Sequence, residues 1–197
     1  MKINTHNYAP YEGRFVNLRE AEIEDSSFIL SLRTDVKKSR YLHKTQNSLD
    51  NQAQYMQRYK TLNNEWYFIV ISKEQKRLGT ISIYPHEILI PHWNNQKNID
   101  SDNLKAIGIG RWIMSDEASY VEVLESVCIA KRILFMDFLV DFEPFIAHKD
   151  NLKVLQFHKR WGARIVGSSG DLQLLELHRD DYLKNKVKFE NMLKEGE

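Results

Sequence analysis

The chain has 197 residues, of which 42% are hydrophobic, enough for one domain with a substantial core. Its 28 Lys and Arg against 27 Asp and Glu leave a formal charge of +1, which excludes an electrostatic nucleic-acid binder with its marked cationic excess. No run approaches the ~18 apolar residues of a membrane span, "MKINTHNYAPYEG" lacks the apolar stretch of a signal peptide, and Cys128 stands alone, so no internal disulfide can form and a reducing cytoplasm is expected.

In chain order, Phe15, Val16 and Leu18 read as a strand. Glu24–Asp25–Ser26 opens a helix on which Phe28, Ile29 and Leu32 recur at helical spacing. "DNQAQYMQRYKTL" predicts a second helix with Tyr55, Met56 and Tyr59 on one side. "EWYFIVIS" and "KRLGTISIY" are β-rich runs joined by the polar "KEQK", a hairpin. The Asn- and Asp-rich part of "HEILIPHWNNQKNIDSDNLK" reads as a long loop of the kind that carries function. "AIGIGRWIM" is a strand with two glycines, which imply a bulge or a close backbone approach. "YVEVLESVCIAKRILF" is a mostly apolar helix, "EPFIAH" a short strand and "NLKVLQFHKRW" another helix. "ARIVGSS" and "LQLLELHRDDYL" are the last strands, and "KNKVKFENMLKEGE" a charged, frayed helical tail. The order β-α-α-β-β-β-α-β-α-β-β implies an α/β fold with one mixed sheet and helices on both faces. No repeat or linker interrupts it, so a single domain is expected over residues 1–197, with a core of about 13–180.

Some residues carry chemistry on their own terms. Asn151, just before a helix, has the position of an N-cap. His158, seven residues later, lies on roughly the same face; beside Lys159 and Arg160 it also suits the negative end of the helix. Ser115 or Ser119 could cap the helix that follows "SDEAS". Seven His and one Cys show no zinc spacing, and His86 and His92 are six apart across a proline, so no metal is expected. No G-x-S-x-G or P-loop occurs, and "GIG" within a strand is no phosphate loop.

The sequence of these elements resembles the GNAT acyltransferase family. Asn151 with Gly162 eleven residues on is similar to the family's strand–Asn–helix–"K-x-G-F" segment, with Ala163 where Phe is usual. "LSLRTDVKKSRYLH", "WYFIVISKEQKRLGTISIY", "GIGRWIM" and "NLKVLQFHKRWGARIVGS" look like the branch that acetylates amino sugars and sugar nucleotides, and the resemblance covers Gly13 to His178. It implies a mostly antiparallel sheet that splays into a V between two central strands, here 106–114 and 145–148. It also implies acetyl-CoA as co-substrate, with the pantetheine arm in that V.

The resemblance further implies cofactor contacts from Ile113, Met114, Ser115, Ala118, Ser119, Tyr120 and Asn151, with the amides of 118–120 as diphosphate donors. Here the usual Q/R-x-x-G-x-G/A loop is replaced by "MSDEASYVEVLE", which has no glycine or base and holds Asp116 and Glu117. Asn151 would bond the arm as well as cap the helix, and His158 stands where the family places the group that protonates the leaving thiolate. Gly108 and Gly110 either shape the thioester site or permit tight packing. His148, Asp116, Glu117, His86, Glu87 and His92 are candidate bases for the amine. Arg33, Arg40 and Tyr41, with Thr34 and Lys37, lie in the segment that borders the acceptor. The expected partner is thus a small-molecule amine, with protein N-terminal or lysine acetylation, or a ligand-binding member without catalysis, as alternatives. The edge strand after Ala163 leaves a homodimer open.

Overall fold

The computed structural model describes residues 11–42, 44–86 and 107–196. The long Asn- and Asp-rich loop, with Glu87, His92 and Ala106, lies outside the described residues. The strands are β1 (Tyr11–Glu12), β2 (Val16–Glu20), β3 (Trp66–Ser72), β4 (Arg77–Pro85), β5 (Ile107–Met114), β6 (Phe142–His148), β7 (Arg164–Ser169) and β8 (Leu172–His178). The helices are α1 (Ser26–Thr34), α2 (Leu49–Tyr59), α3 (Tyr120–Arg132), α4 (Leu152–Trp161) and α5 (Arg179–Glu195). In place of one sheet, β1-β2-β3-β4-β5 and β6-β8-β7 form two. Among the described residues no ladder joins β5 to β6, which is the break that a splay between those strands requires.

The chain divides into two compact units, one of residues up to 82 with 111–130, the other of 83–110 with 131 onward. In the first, β2 pairs antiparallel with both β1 and β3. The faces of α1 and α2 foreseen from their periodicity bury Ile29, Met56 and Tyr59 against Tyr67, Ile69 and Ile71 of β3. Tyr59 stands edge-on to Tyr67 at 6.0 Å, and its hydroxyl accepts the Tyr67 amide at 2.9 Å. The Glu125 carboxylate of α3, 6% exposed, accepts the amides of Arg14, Phe15 and Val16 at 2.7, 2.6 and 2.8 Å. Those three bonds satisfy a buried charge and pin the start of β2.

In the second unit β8 pairs antiparallel with β6 and β7, leaving β7 at an edge. The last helix departs from expectation twice. It begins at Arg179, so Arg179–Leu183 is helix rather than strand. Nor is it frayed: Tyr182, Asn185 and Phe189 are buried, and Phe189 lies flat on Trp161 at 3.6 Å and 2°. Asn185 donates to the Trp161 carbonyl at 3.1 Å. Three inward residues at helical spacing outweigh the charge of the remaining face.

Candidate functional site

Helix α4 carries the two residues singled out from "DNLKVLQFHKRWG". Asn151 is its N-cap, with Oδ1 accepting the Val154 amide at 3.4 Å. The helix stops at Gly162, whose φ of +100° only glycine adopts without strain. There the Gly162 and Ala163 amides donate to the Lys159 and His158 carbonyls at 2.9 and 3.1 Å, a Schellman closure. Those backbone amides, and not the His158 ring, close the helix end. The ring is turned inward: His158 is 7% exposed, packs against Phe145 at 4.2 Å, and has an Nδ1 with no hydrogen-bond partner. Burial, and then the nearby Lys131 charge, hold its pKa well below 6.5. The ring is therefore uncharged at neutral pH.

Beneath it lies a pair that the sequence reading passed over. Lys131 and Glu143 meet at 2.6 Å with both side chains fully buried. Lys131 also faces the Trp161 and Phe145 rings at 5.5 and 6.0 Å, and Glu143 accepts the Ile109 amide at 3.4 Å. Their signal was a cation inside the apolar run "VCIAKRILF" and a carboxylate inside the apolar run "FEPFIAH". At Gly108 a Cβ would sit 2.1 Å from the Pro144 carbonyl, so β5 approaches β6 too closely for any side chain there. At Gly110 it would meet the Tyr84 ring at 2.6 Å. Neither position leaves room for a side chain. The backbone distortion of β5 falls instead on Arg111, with φ +49°.

In the first unit, the segment foreseen as the diphosphate cradle is bonded to itself. The Ser115 amide donates to Leu78 of β4 at 2.7 Å, and that of Ala118 to the Ser115 carbonyl at 3.3 Å. The Ser119 amide and hydroxyl both donate to Glu122 at 2.8 and 2.7 Å. Ser119 and Glu122 thus form half of an S-x-x-E capping box, a pattern legible in "SYVE". Glu122 already takes the Ser119 amide that the resemblance would offer to a phosphate oxygen, and two of the three expected donor amides are engaged. Asp116 turns away to Lys38 at 2.7 Å, while Glu117 is exposed. Ile113 is buried and Met114 half-buried, its sulfur 3.9 Å from Ser126 Oγ.

The first unit also holds a cavity of about 370 Å³ at which Arg33 meets Lys44, Gln52, Tyr55, Tyr67 and Arg111. Of the foreseen acceptor residues, only Arg33 lines it. Arg40 instead stacks on Tyr41 at 5.2 Å. His148, another foreseen base, accepts the Asp150 amide through Nδ1 at 3.2 Å, and His86 is buried against Tyr84 at 4.6 Å. Among the described residues no group of His, Cys, Asp or Glu could hold a metal ion, and no helix is long and apolar enough to cross a membrane.

No family model matches the chain, and no curated protein does. Solved structures do resemble it. A structure of apo FdhC, described as a nucleotide-linked sugar GNAT, has 23% identity over 93% of this chain and 98% of its own, with a TM-score of 0.75. A GCN5-related N-acetyltransferase from Brucella melitensis has 15% identity over 95% and 86%, with a TM-score of 0.71. A spermidine N-acetyltransferase SpeG chimera from Vibrio cholerae and hSSAT has 14% identity over 86% and 99%, with a TM-score of 0.67. Together with the break between β5 and β6 and the Asn-capped helix after β6, these likenesses show that the chain has the fold of the GCN5-related N-acetyltransferases.

Proposed function

We propose that the chain transfers an acetyl group from acetyl-CoA to a primary amine by direct attack, the amine being that of an amino sugar or sugar nucleotide. The observation that carries this reading is His158, an uncharged imidazole with an unpartnered nitrogen, buried on the Asn-capped helix after β6. Acetyl-CoA supplies an acyl carbon bound to sulfur. In the transfer a C–N bond forms, the C–S bond breaks, and one proton passes from nitrogen to sulfur. His158 holds that proton in transit. Its low pKa makes the protonated ring a ready donor, and burial keeps water from intervening. The cap bond of Asn151 uses Oδ1, which leaves Nδ2 to donate to the arm. The likeness to a nucleotide-linked sugar GNAT supports the choice of acceptor.

A second reading, a ligand-binding member of the fold without catalysis, is favoured by the self-bonded segment at 115–122. Calorimetric titration with acetyl-CoA separates the two. Saturable binding, followed by release of free thiol in the presence of 4-amino sugar nucleotides, is the expected result. No heat at millimolar acetyl-CoA would overturn the enzyme reading. Thiol release with peptides and not with amino sugars would overturn the acceptor class. In His158→Phe, turnover should fall about 100-fold with acetyl-CoA affinity nearly unchanged.

A further inference from the structure

Three cations and no carboxylate line the cavity of the first unit among the described residues. Arg111 is neutralised by Glu65 at 2.8 Å, which leaves Arg33 and Lys44, and Arg33 is held in place by a bond from Nε to Thr45 Oγ1 at 2.9 Å. Two polar atoms at the same cavity are buried without a hydrogen-bond partner, Gln52 Nε2 and the Tyr67 hydroxyl, in residues 7% and 1% exposed. Arg33 and Thr80 lie close enough to pull on the Tyr67 phenol, but neither meets it in hydrogen-bond geometry. Buried donors are almost always satisfied, so two orphans on residues that line one cavity point to oxygens supplied by a bound molecule. The third wall is pre-organised. Arg111 holds a left-handed backbone that costs a non-glycine residue energy, Thr80 donates to its carbonyl at 2.8 Å, and its guanidinium lies over the Tyr55 and Tyr67 rings at 5.5 and 5.7 Å.

We infer that this cavity binds a phosphate or diphosphate group attached to an oxygen-rich ring: Arg33 and Lys44 take the anion, Gln52 and Tyr67 donate to the ring's oxygens, and the Tyr55–Arg111–Tyr67 wall receives its flat side. The volume is that of a small-molecule site. A polyamine is disfavoured by the same charges that attract an anion. The inference rests on the acetyl-transfer reading only in assigning this anion to the acceptor; the binding itself does not require catalysis.

The test is calorimetric titration of the full chain, without acetyl-CoA, with pyrophosphate, uridine diphosphate and spermidine at low and high salt. Saturable binding of the nucleoside diphosphate is expected, tighter than pyrophosphate, and weakening with salt as a charge-driven site must. Arg33→Gln should weaken it about tenfold or more. Tyr67→Phe should weaken it while leaving thermal stability unchanged or higher, because the hydroxyl has no protein partner to lose. The inference is overturned by no saturation at millimolar ligand, by binding that neither variant alters, or by spermidine binding more tightly than the diphosphate. Failure here leaves acetyl-CoA binding and transfer to a neutral amine untouched, and failure of the acetyl-CoA titration leaves this result standing.

Discussion

Replacing Lys131 by methionine keeps the length of the side chain and removes its charge, leaving Glu143 alone in the interior. The pair meets at 2.6 Å with neither side chain exposed, and the other bond to Glu143 is a long one from the Ile109 amide at 3.4 Å. At an effective dielectric of about 20, opposite charges at such separations attract by roughly 4 kcal/mol or more. Stranding a buried charge costs about 3–5 kcal/mol in measured cases. For a chain of this length that corresponds to a fall of roughly 6–20 °C in Tm. Urea unfolding and thermal melts of Lys131→Met, Glu143→Leu and the double variant form a cycle. The double variant should recover to within about 1 kcal/mol of the parent, because replacing a whole buried pair with apolar groups is often neutral. Removing the Lys131 charge should also raise the His158 pKa, seen by NMR titration, while burial, the larger cause, still holds it below 6.5. If Lys131→Met costs less than about 1 kcal/mol, the pair is not the buried, mutually dependent unit described above.

His158 should also leave a mark on stability against pH. Its folded pKa lies below the unfolded value of 6.5, so below that pH the unfolded chain takes up a proton that the folded one refuses. Stability is then complete above pH 6.5 and falls as pH drops toward the folded pKa, by up to about 1.4 kcal/mol per pH unit; His158→Phe should lose this slope in urea midpoints between pH 6.5 and 5, and an unchanged slope would place its origin elsewhere. Glu122→Gln keeps a cap acceptor for Ser119 but removes the charge at the start of α3, so acetyl-CoA should bind several-fold more tightly by calorimetry with little change in Tm; weaker binding would show that the carboxylate does not compete with phosphate. Phe189→Ala removes the ring stacked on Trp161 at 3.6 Å and should cost about 3–5 kcal/mol in urea unfolding, whereas a frayed tail would lose almost nothing.

What the sequence disclosed and what it withheld divide along a physical line. Periodicity located α1, α2 and α4 because each buries one regular face, β3 and β4 stood out as β-rich runs because both of their faces are buried, and Asn151 and Gly162 bracketed α4 because capping and a left-handed turn each demand a particular residue type. The tail was misjudged for a related reason: Tyr182, Asn185 and Phe189 keep helical spacing, but charged residues between them dilute the pattern, and their value lies in Trp161, twenty or more residues away in sequence. Long-range partners explain the other omissions too. Nothing local in "AKRIL" and "FEPF" says that Lys131 finds Glu143, nor in "NQAQY" that Gln52 ends up unpaired near Arg33 and Tyr67. The division of the candidate site follows the same line. The helix bearing Asn151 and His158 could be read because its chemistry is written within ten residues, and its neutral ring could not, since burial and Lys131 set that. The 115–122 segment announced its lack of glycine, and the structure supplies the consequence: a helix start that satisfies itself with Glu122 binds a diphosphate only by surrendering bonds it already has. On the proposed acetyl-transfer reading, affinity for acetyl-CoA would then come from the pantetheine arm, and selectivity for an acceptor from the cationic cavity that holds Arg33.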